Sequence, residues 1–324
     1  MPDPAVDQSR PIAVTGATGF VGRHVVRALV EGGRRVRALV RDARKADRVL
    51  PDSVELALGD VLDPGSLGEL IAGAGAVVHL VGIRREQPGG VRFERLHIDA
   101  TRNVVSAAET AGVARYVHMS ALGARPDAAC AYHQTKWRAE QLVRGSGLAW
   151  TIVRPSLILG DGGEFLDMAR GWARGTEPPR RFLPYFTRPA AGVGDPVPTR
   201  ADRSALVQPV LVEDVARAIA MALQRDGSVG EVEPLVGPEA YTWPQLLVLI
   251  RDRTPGAKRR IAPRGVPGVA ASRLAWVAQR VGLGSLLPFG PCEPLMAIED
   301  NTGSPAKARA DLGVDPAPIV GALA

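Results

Sequence analysis

Cysteine is nearly absent from this 324-residue sequence, with Cys130 and Cys292 the only two. Two are too few for a disulfide framework, and neither stands at metal-ligand spacing, so a reducing interior is expected. Lysine is almost as scarce. Of 40 basic residues only Lys45, Lys136, Lys258 and Lys307 are lysine, which leaves 36 (40 − 4) arginines scattered from end to end. The formal net charge of +6 therefore comes without an obvious basic stripe, and at 5% aromatics there is no aromatic-interleaved patch, which argues against nucleic acid as a partner. Anionic ligands and an acidic membrane surface stay open. No run of about 18 apolar residues occurs, so no segment is expected to span a membrane. The opening Met1-Pro2-Asp3-Pro4 has no apolar block and reads as a loose tail over 1–9, not a secretory signal. The five histidines (His24, His79, His97, His118, His133) lie in the first half without metal-site spacing, and no metal is expected. Together these features suggest a cytoplasmic protein, with a peripheral place on the inner face of the cytoplasmic membrane left open.

What is present is ordinary globular composition, 46% apolar and 23% charged, which excludes a disordered chain, a collagen-like fibre and a coiled coil. Short apolar runs at 11–15, 35–40, 54–58, 76–81, 115–120 and 150–154 alternate with helical patterns at 20–31, 64–72, 91–111 and 129–144. Strands alternating with helices predict βαβ units and a doubly wound parallel α/β sheet covered on both faces. The Pro-, Arg- and Gly-rich stretch 175–209 predicts a long ordered loop or irregular lobe. A strand at 210–212 and a helix at 213–224 predict a return to the sheet, and 243–253 and 269–281 are further helices. The expected organisation is a tail at 1–9, a dinucleotide-binding core at 10–160, and an insert at 161–209. The core resumes at 210–228, and a smaller discontinuous C-terminal substrate lobe occupies 229–324.

Directly after the first strand stands Thr15-Gly16-Ala17-Thr18-Gly19-Phe20-Val21-Gly22, and then a helix. Gly16 permits the tight turn, Gly19 lets backbone approach a pyrophosphate, and Gly22 lets the helix pack closely on the sheet. The helix N-terminus offers free N–H groups and the positive end of its dipole. Glycines spaced three and three resemble the short-chain dehydrogenase/reductase superfamily, and the TGATGFVG form its extended and atypical members. Gly59-Asp60, His79-Leu80-Val81-Gly82, Arg154-Pro155 and Val212-Glu213-Asp214-Val215-Ala216 stand at matching places, so the resemblance covers most of the chain. It implies a Rossmann-type fold and nucleotide contacts from Thr15, Gly16, Thr18, Gly19, Phe20, Val21, Gly22, Asp60, Val61, Leu80, Val81, Gly82 and Pro155.

An acid ending the second strand would select NAD through the ribose 2′-OH. Here Val40 ends it and Arg41 follows, a residue able to pair with a 2′-phosphate, so NADP(H) is expected over NAD(H). Arg23 could reach the same phosphate, and Asp42 could reach the ribose if the strand register shifted by one.

Tyr132 and Lys136, four apart at the start of a helical segment, share one helix face. An ammonium beside a phenol lowers its pKa towards a useful acid/base range, and the same lysine can hold the nicotinamide ribose. Ser120, at the end of the fifth strand, would orient and polarise a substrate carbonyl. Serine followed by Tyr-x-x-x-Lys is the catalytic order of the superfamily. Where many members have a relay asparagine this chain has His97, either a relay or a structural group.

The stretches 116–124 and 147–156, with Asp300-Asn301 and Leu312–Pro316, resemble the branch containing the nucleotide-binding accessory subunit of respiratory complex I and its bacterial relatives. Two functions follow from the resemblance. One is an NAD(P)-dependent oxidoreductase passing hydride between NADP(H) and a small carbonyl or alcohol. The other is a nucleotide-bound accessory or assembly factor of a respiratory or quinone-synthesising complex. The segment Val269–Leu283 has an apolar face wider than a surface helix needs, which either packs on the lobe or docks on a membrane or membrane partner.

Overall fold

The computed structural model describes residues 7, 9–87, 89–189 and 203–323. Most of the expected tail, and 190–202 of the expected insert, lie outside the described residues. The chain opens with β1 (Ile12–Thr15), α1 (Phe20–Glu31), β2 (Val36–Val40), the short α2 (Ala43–Asp47), β3 (Glu55–Leu58), α3 (Pro64–Ile71) and β4 (Ala76–His79). A π-helical turn, Glu94–Asp99, runs into α4 (Ala100–Thr110), followed by β5 (Arg115–Met119), α5 (Ala131–Arg144) and β6 (Trp150–Pro155). Next come β7 (Ile158–Leu159), α6 (Glu164–Arg174), β8 (Leu183–Thr187), β9 (Leu206–Val207), β10 (Val210–Leu211), α7 (Val212–Ala222) and β11 (Glu231–Leu235). The C-terminal part adds β12 (Tyr241–Thr242), α8 (Trp243–Arg253), β13 (Pro263–Pro267), α9 (Gly268–Arg280) and α10 (Cys292–Ala297).

Seven strands form one parallel sheet in the order β11-β6-β5-β4-β1-β2-β3. This is the doubly wound α/β fold the alternating pattern predicts. β1 and β4 are apolar without a break apart from their last residues, and every residue of both is buried, as strands covered on two faces require. On one face Val25 and Leu29 of α1 pack with Val215 and Ile219 of α7. On the other Leu67 and Leu70 of α3 pack with Val104 and Ala108 of α4. Each such buried aliphatic side chain contributes about 1.5–3 kcal/mol. A third cluster, including Leu166, Trp172, Leu183, Leu246 and Ile250, forms the core of the lobe. Strand order reverses between β1 and β4, so their carboxyl ends open the crevice in which such sheets hold ligands.

Three features differ from expectation. The segment at 210–212 does not return to the main sheet: β10 pairs with β7 in a separate two-stranded ribbon. The seventh core strand is β11, inside the segment expected to belong to the lobe. Its sequence Glu-Val-Glu-Pro-Leu carries two acids and a proline, a composition tolerated at a sheet edge and unlike a central strand. Finally, the two cysteines are not free thiols. Cys130 and Cys292 form a disulfide, Cα–Cα 5.3 Å, that joins the start of α5 to the start of α10.

Candidate functional site

The glycine loop turns at Gly16, whose φ is +76°, directly over the end of β4. A Cβ there would lie 3.0 Å from the Leu80 carbonyl carbon and the Val81 nitrogen. At Gly22 a Cβ would sit 2.1 Å from the Gly16 carbonyl oxygen, so only glycine lets α1 approach its own loop. Gly19 caps α1 with no side-chain hydrogen bond, which leaves the first-turn N–H groups free to meet an anion at the crevice. The loop therefore fits a pyrophosphate. Val21 and Gly22 are buried against the sheet, and Thr18 and Phe20 are half-buried at the loop. Thr15 is fully buried and its hydroxyl lies 2.7 Å from His79 Nδ1, so that group is engaged inside the sheet and is not offered to a ligand.

At the end of β2, Arg41 is exposed and its guanidinium lies 3.9 Å from the Asp60 carboxylate. The other Asp60 oxygen accepts from the Leu62 backbone N–H. Asp42 caps α2, accepting from Lys45 N–H at 3.3 Å, which engages its carboxylate at that helix. Arg23 donates to the Asp161 carbonyl and lies over the Phe20 ring. Val61 and Leu80 are buried, Val81 is half-buried and Gly82 exposed. Pro155, ending β6, is buried and its carbonyl accepts from Leu122 N–H.

Tyr132 and Lys136 stand on successive turns of α5. Lys136 is 3% exposed, and its Nζ donates to the Met119 carbonyl at the end of β5, 2.9 Å away. A Cβ on Gly82 would lie 2.9 Å from that same Nζ, so the ammonium bridges the ends of β4 and β5. Burial pushes the Lys136 pKa down to about 8, against the opposing charge of Glu140. The Tyr132 ring packs edge-on against Phe93, His97 and His133. Burial pushes its phenol up to about 12, opposed by the cation of Arg84. The lowering of this phenol by Lys136, expected from their spacing, is thus not what the structure has, because burial dominates.

Ser120 differs from expectation too. Its hydroxyl donates to Glu140 Oε1 at 2.5 Å, and does not point its proton at an open site. Glu140 is fully buried on the turn of α5 after Lys136, and Arg154 of β6 grips it with two bonds of 2.8 and 2.6 Å. Sequence reasoning missed this carboxylate and its arginine. The available signal was positional: Tyr132, Lys136 and Glu140 repeat at i, i+4 and i+8, one helix face.

His97 stands in the π-helical turn and is buried. Its Nδ1 meets Thr135 Oγ1 at 2.9 Å and its Nε2 meets the backbone of Ile83. Burial and the Lys136 charge hold it neutral, well below its usual pKa. His79, held by Thr15 and Thr101, is pushed down to about 3 by burial. Beside it His118 stacks at 5.5 Å, and neither of its ring nitrogens has a hydrogen-bond partner among the described residues.

A glycine loop at the switch point of a doubly wound sheet, with a Ser/Tyr/Lys cluster at the neighbouring strand ends, defines a nucleotide-binding Rossmann protein. Comparison with known proteins agrees. An NAD(P)H-binding family matches residues 16–168, and a family described as male sterility protein matches 122–219. Ceramide reductase of Caulobacter vibrioides is 34% identical over 272 residues, which span 82% of this chain and 77% of the relative. A mitochondrial subunit of Rattus norvegicus, NADH dehydrogenase [ubiquinone] 1 alpha subcomplex subunit 9, is 27% identical over 314 residues, 94% of this chain and 76% of the relative. Among solved structures, an NADPH-dependent quinone oxidoreductase of Escherichia coli has the same fold. It superposes with a TM-score of 0.70 at 20% identity, covering 96% of this chain and 98% of the other. The chain belongs to the atypical and extended short-chain dehydrogenase/reductase superfamily, and its cofactor is a nicotinamide dinucleotide.

Proposed function

We propose that this protein is an NADP(H)-dependent oxidoreductase acting on a small carbonyl or alcohol. The observation that carries the proposal is Lys136, an ammonium held without solvent between the ends of β4 and β5, one helical turn from Tyr132. Arg41 at the end of β2, with Asp42 engaged in capping α2, supports the phosphorylated dinucleotide. When bound, the nicotinamide supplies or receives the hydride. In the reducing direction the Tyr132 hydroxyl donates its proton to the substrate oxygen, and the phenolate so formed recovers a proton from solvent. A phenol of pKa about 12 holds its proton at neutral pH and is set up as an acid; its phenolate is costly unless a cation lies near. Lys136 supplies that cation and a donor for the ribose. Ser120 gives its own proton to Glu140, so it offers lone pairs to an alcohol O–H and steers the substrate as an acceptor.

The same two observations favour a second function, a nucleotide-bound accessory factor without turnover. A phenol pushed up by burial and a serine proton engaged by Glu140 are compatible with a site that only holds its ligand. Reduction of a panel of ketones and quinones with NADPH, together with NADPH titrations, separates the two. Oxidoreductase function predicts turnover that Tyr132→Phe lowers by about 100-fold or more while the NADPH Kd stays within about threefold. Tight NADPH binding without turnover across the panel supports the accessory role.

A further inference from the structure

The helix α9 is amphipathic in the reverse sense. Its buried side consists of Gly268, Ala271, Ser272 and Ala275, all small. A Cβ on Gly268 would lie 2.5 Å from Ile298 Cγ2, and Ser272 Oγ donates to the Pro291 carbonyl at 2.8 Å, so this small-residue side is the one seated on α10. The large side chains face out. Leu274, Trp276, Val277 and Val281 are exposed, and Leu283 and Leu286 extend the patch beyond the helix end. These six are the majority of the eight large hydrophobic residues exposed among the described residues. Concentration of this kind within 13 residues marks a contact surface, since single exposed apolar residues are normally scattered.

The charge of the surrounding sequence bears on which partner would suit the patch. From Arg253 to Cys292, 40 consecutive residues, no aspartate or glutamate occurs. In the same stretch stand Arg253, Lys258, Arg259, Arg260, Arg264, Arg273 and Arg280, all of them exposed. The chain as a whole has 34 acids in 324 residues, so about four would fall in such a stretch by even spacing. At 100° per residue Arg273 and Arg280 lie on the outward arc of α9, flanked by Trp276 on one side and by Leu274, Val277 and Val281 on the other. The Arg280 guanidinium stands 4.0 Å from the Trp276 ring centroid, a pairing suited to the boundary between headgroups and acyl chains. An apolar face that carries Arg273 and Arg280, in a stretch of chain without acids, complements an anionic bilayer.

We propose that α9 and the turn following it, through Leu286, form a membrane-docking surface for anionic lipid, lying in the headgroup plane without crossing the bilayer. No described helix is long and apolar enough to cross one. Docking does not rest on turnover. It does place the candidate site near the lipid, because α9 packs on α10, and α10 is bonded to the start of α5 through Cys130–Cys292.

The test is flotation of the whole protein with vesicles of phosphatidylcholine alone or of phosphatidylcholine with phosphatidylglycerol. Measurements are made at low salt and at about 1 M salt, where the Debye length is about 3 Å. Docking predicts flotation only with the phosphatidylglycerol vesicles and only at low salt. Arg273→Ala with Arg280→Ala lowers the partition constant about 30-fold, and Leu286→Ser alone lowers it measurably. Circular dichroism melts matching the wild type establish that these exposed substitutions leave the fold intact. Absence of flotation at low salt, equal flotation on neutral vesicles, or equal flotation of the double arginine variant overturns the proposal. So does a concentration-dependent dimer that Leu286→Ser abolishes, which assigns the patch to a second copy of the chain.

Discussion

The proposed cofactor choice turns on one residue, Arg41. The residue before it, Val40, is the last of β2 and carries no charge, and the residue after it, Asp42, is held by the backbone of α2. The competing acid is therefore engaged, and the exposed guanidinium, 3.9 Å from Asp60, is the group proposed to meet a 2′-phosphate. Losing a charge-assisted pair of this type costs about 1.5–3 kcal/mol, or roughly 10- to 150-fold. NADPH should bind the wild type more tightly than NADH, and Arg41→Ala should remove most of that difference while leaving NADH affinity nearly unchanged. Isothermal titration of both nucleotides with both proteins measures it; equal affinities in the wild type would refute the assignment. The position of Arg41 directly after β2 was legible, because one strand end fixes it. Glu140 was not, since nothing in a sequence shows that a carboxylate on α5 is buried, or that Arg154 arrives from β6 to neutralise it. The same limit hid the direction of the Ser120 proton and the burial that overrides Lys136 at the Tyr132 phenol.

Elements were legible where one period governed a whole segment. α1 and α8 run over the residues their apolar spacing indicates, and the parallel strands β1, β4 and β5 appear as apolar runs within a residue or two of their ends. Periodicity failed where a composition served a different neighbour. The segment of β11 is expected in the lobe because its proline and two acids suit only an edge strand, and at α9 the wide apolar face leaves lobe packing and membrane docking both open although its small side is the buried one. A further consequence arises from parallel packing. β4 and β5 place His79 and His118 side by side, the π-helical turn brings His97 near, and α5 adds His133. Burial pushes all four below the usual histidine pKa, His79 to about 3 and His133 to about 4. Between these values and about 6.5 the unfolded chain binds protons that the folded chain refuses. Stability is therefore fully present above about pH 6.5 and falls as pH drops towards the folded values, by up to about 2 kcal/mol per histidine at pH 5. Urea midpoints should decline between pH 7.5 and pH 5, above the range in which most carboxylates titrate. A midpoint constant across that interval would show that these rings do not stay neutral in the folded state.

At the scale of the whole molecule, the contact that neither spacing nor periodicity could show is the one between the two lone cysteines. They are 162 residues apart in sequence, and only the folding of the lobe onto the core brings them together. Cys130 is also the N-cap of α5, two residues before Tyr132, and Cys292 opens the helix on which α9 packs. The bond therefore links the sheet that holds the nucleotide to the lobe that carries the basic apolar surface. Arg85 reinforces the link, bonding Glu293 of α10 and the Pro288 carbonyl from the loop after β4. The bond restricts the unfolded chain, and a native disulfide typically contributes about 2–4 kcal/mol. Because the attachment is local, its loss should be uneven. Under reductant, or in Cys292→Ser, the urea midpoint should fall, and amide exchange should rise first in α5's opening turn and in α9 and α10 while β1, β4 and β5 stay protected. Non-reducing peptide mapping of the native protein should recover the peptides of Cys130 and Cys292 as one linked species. Quantitative alkylation of both cysteines without reductant, or uniform loss of protection across sheet and lobe, would mean that the lobe is held by its apolar core and by polar contacts such as Arg85 with Glu293 and Arg125 with Glu299.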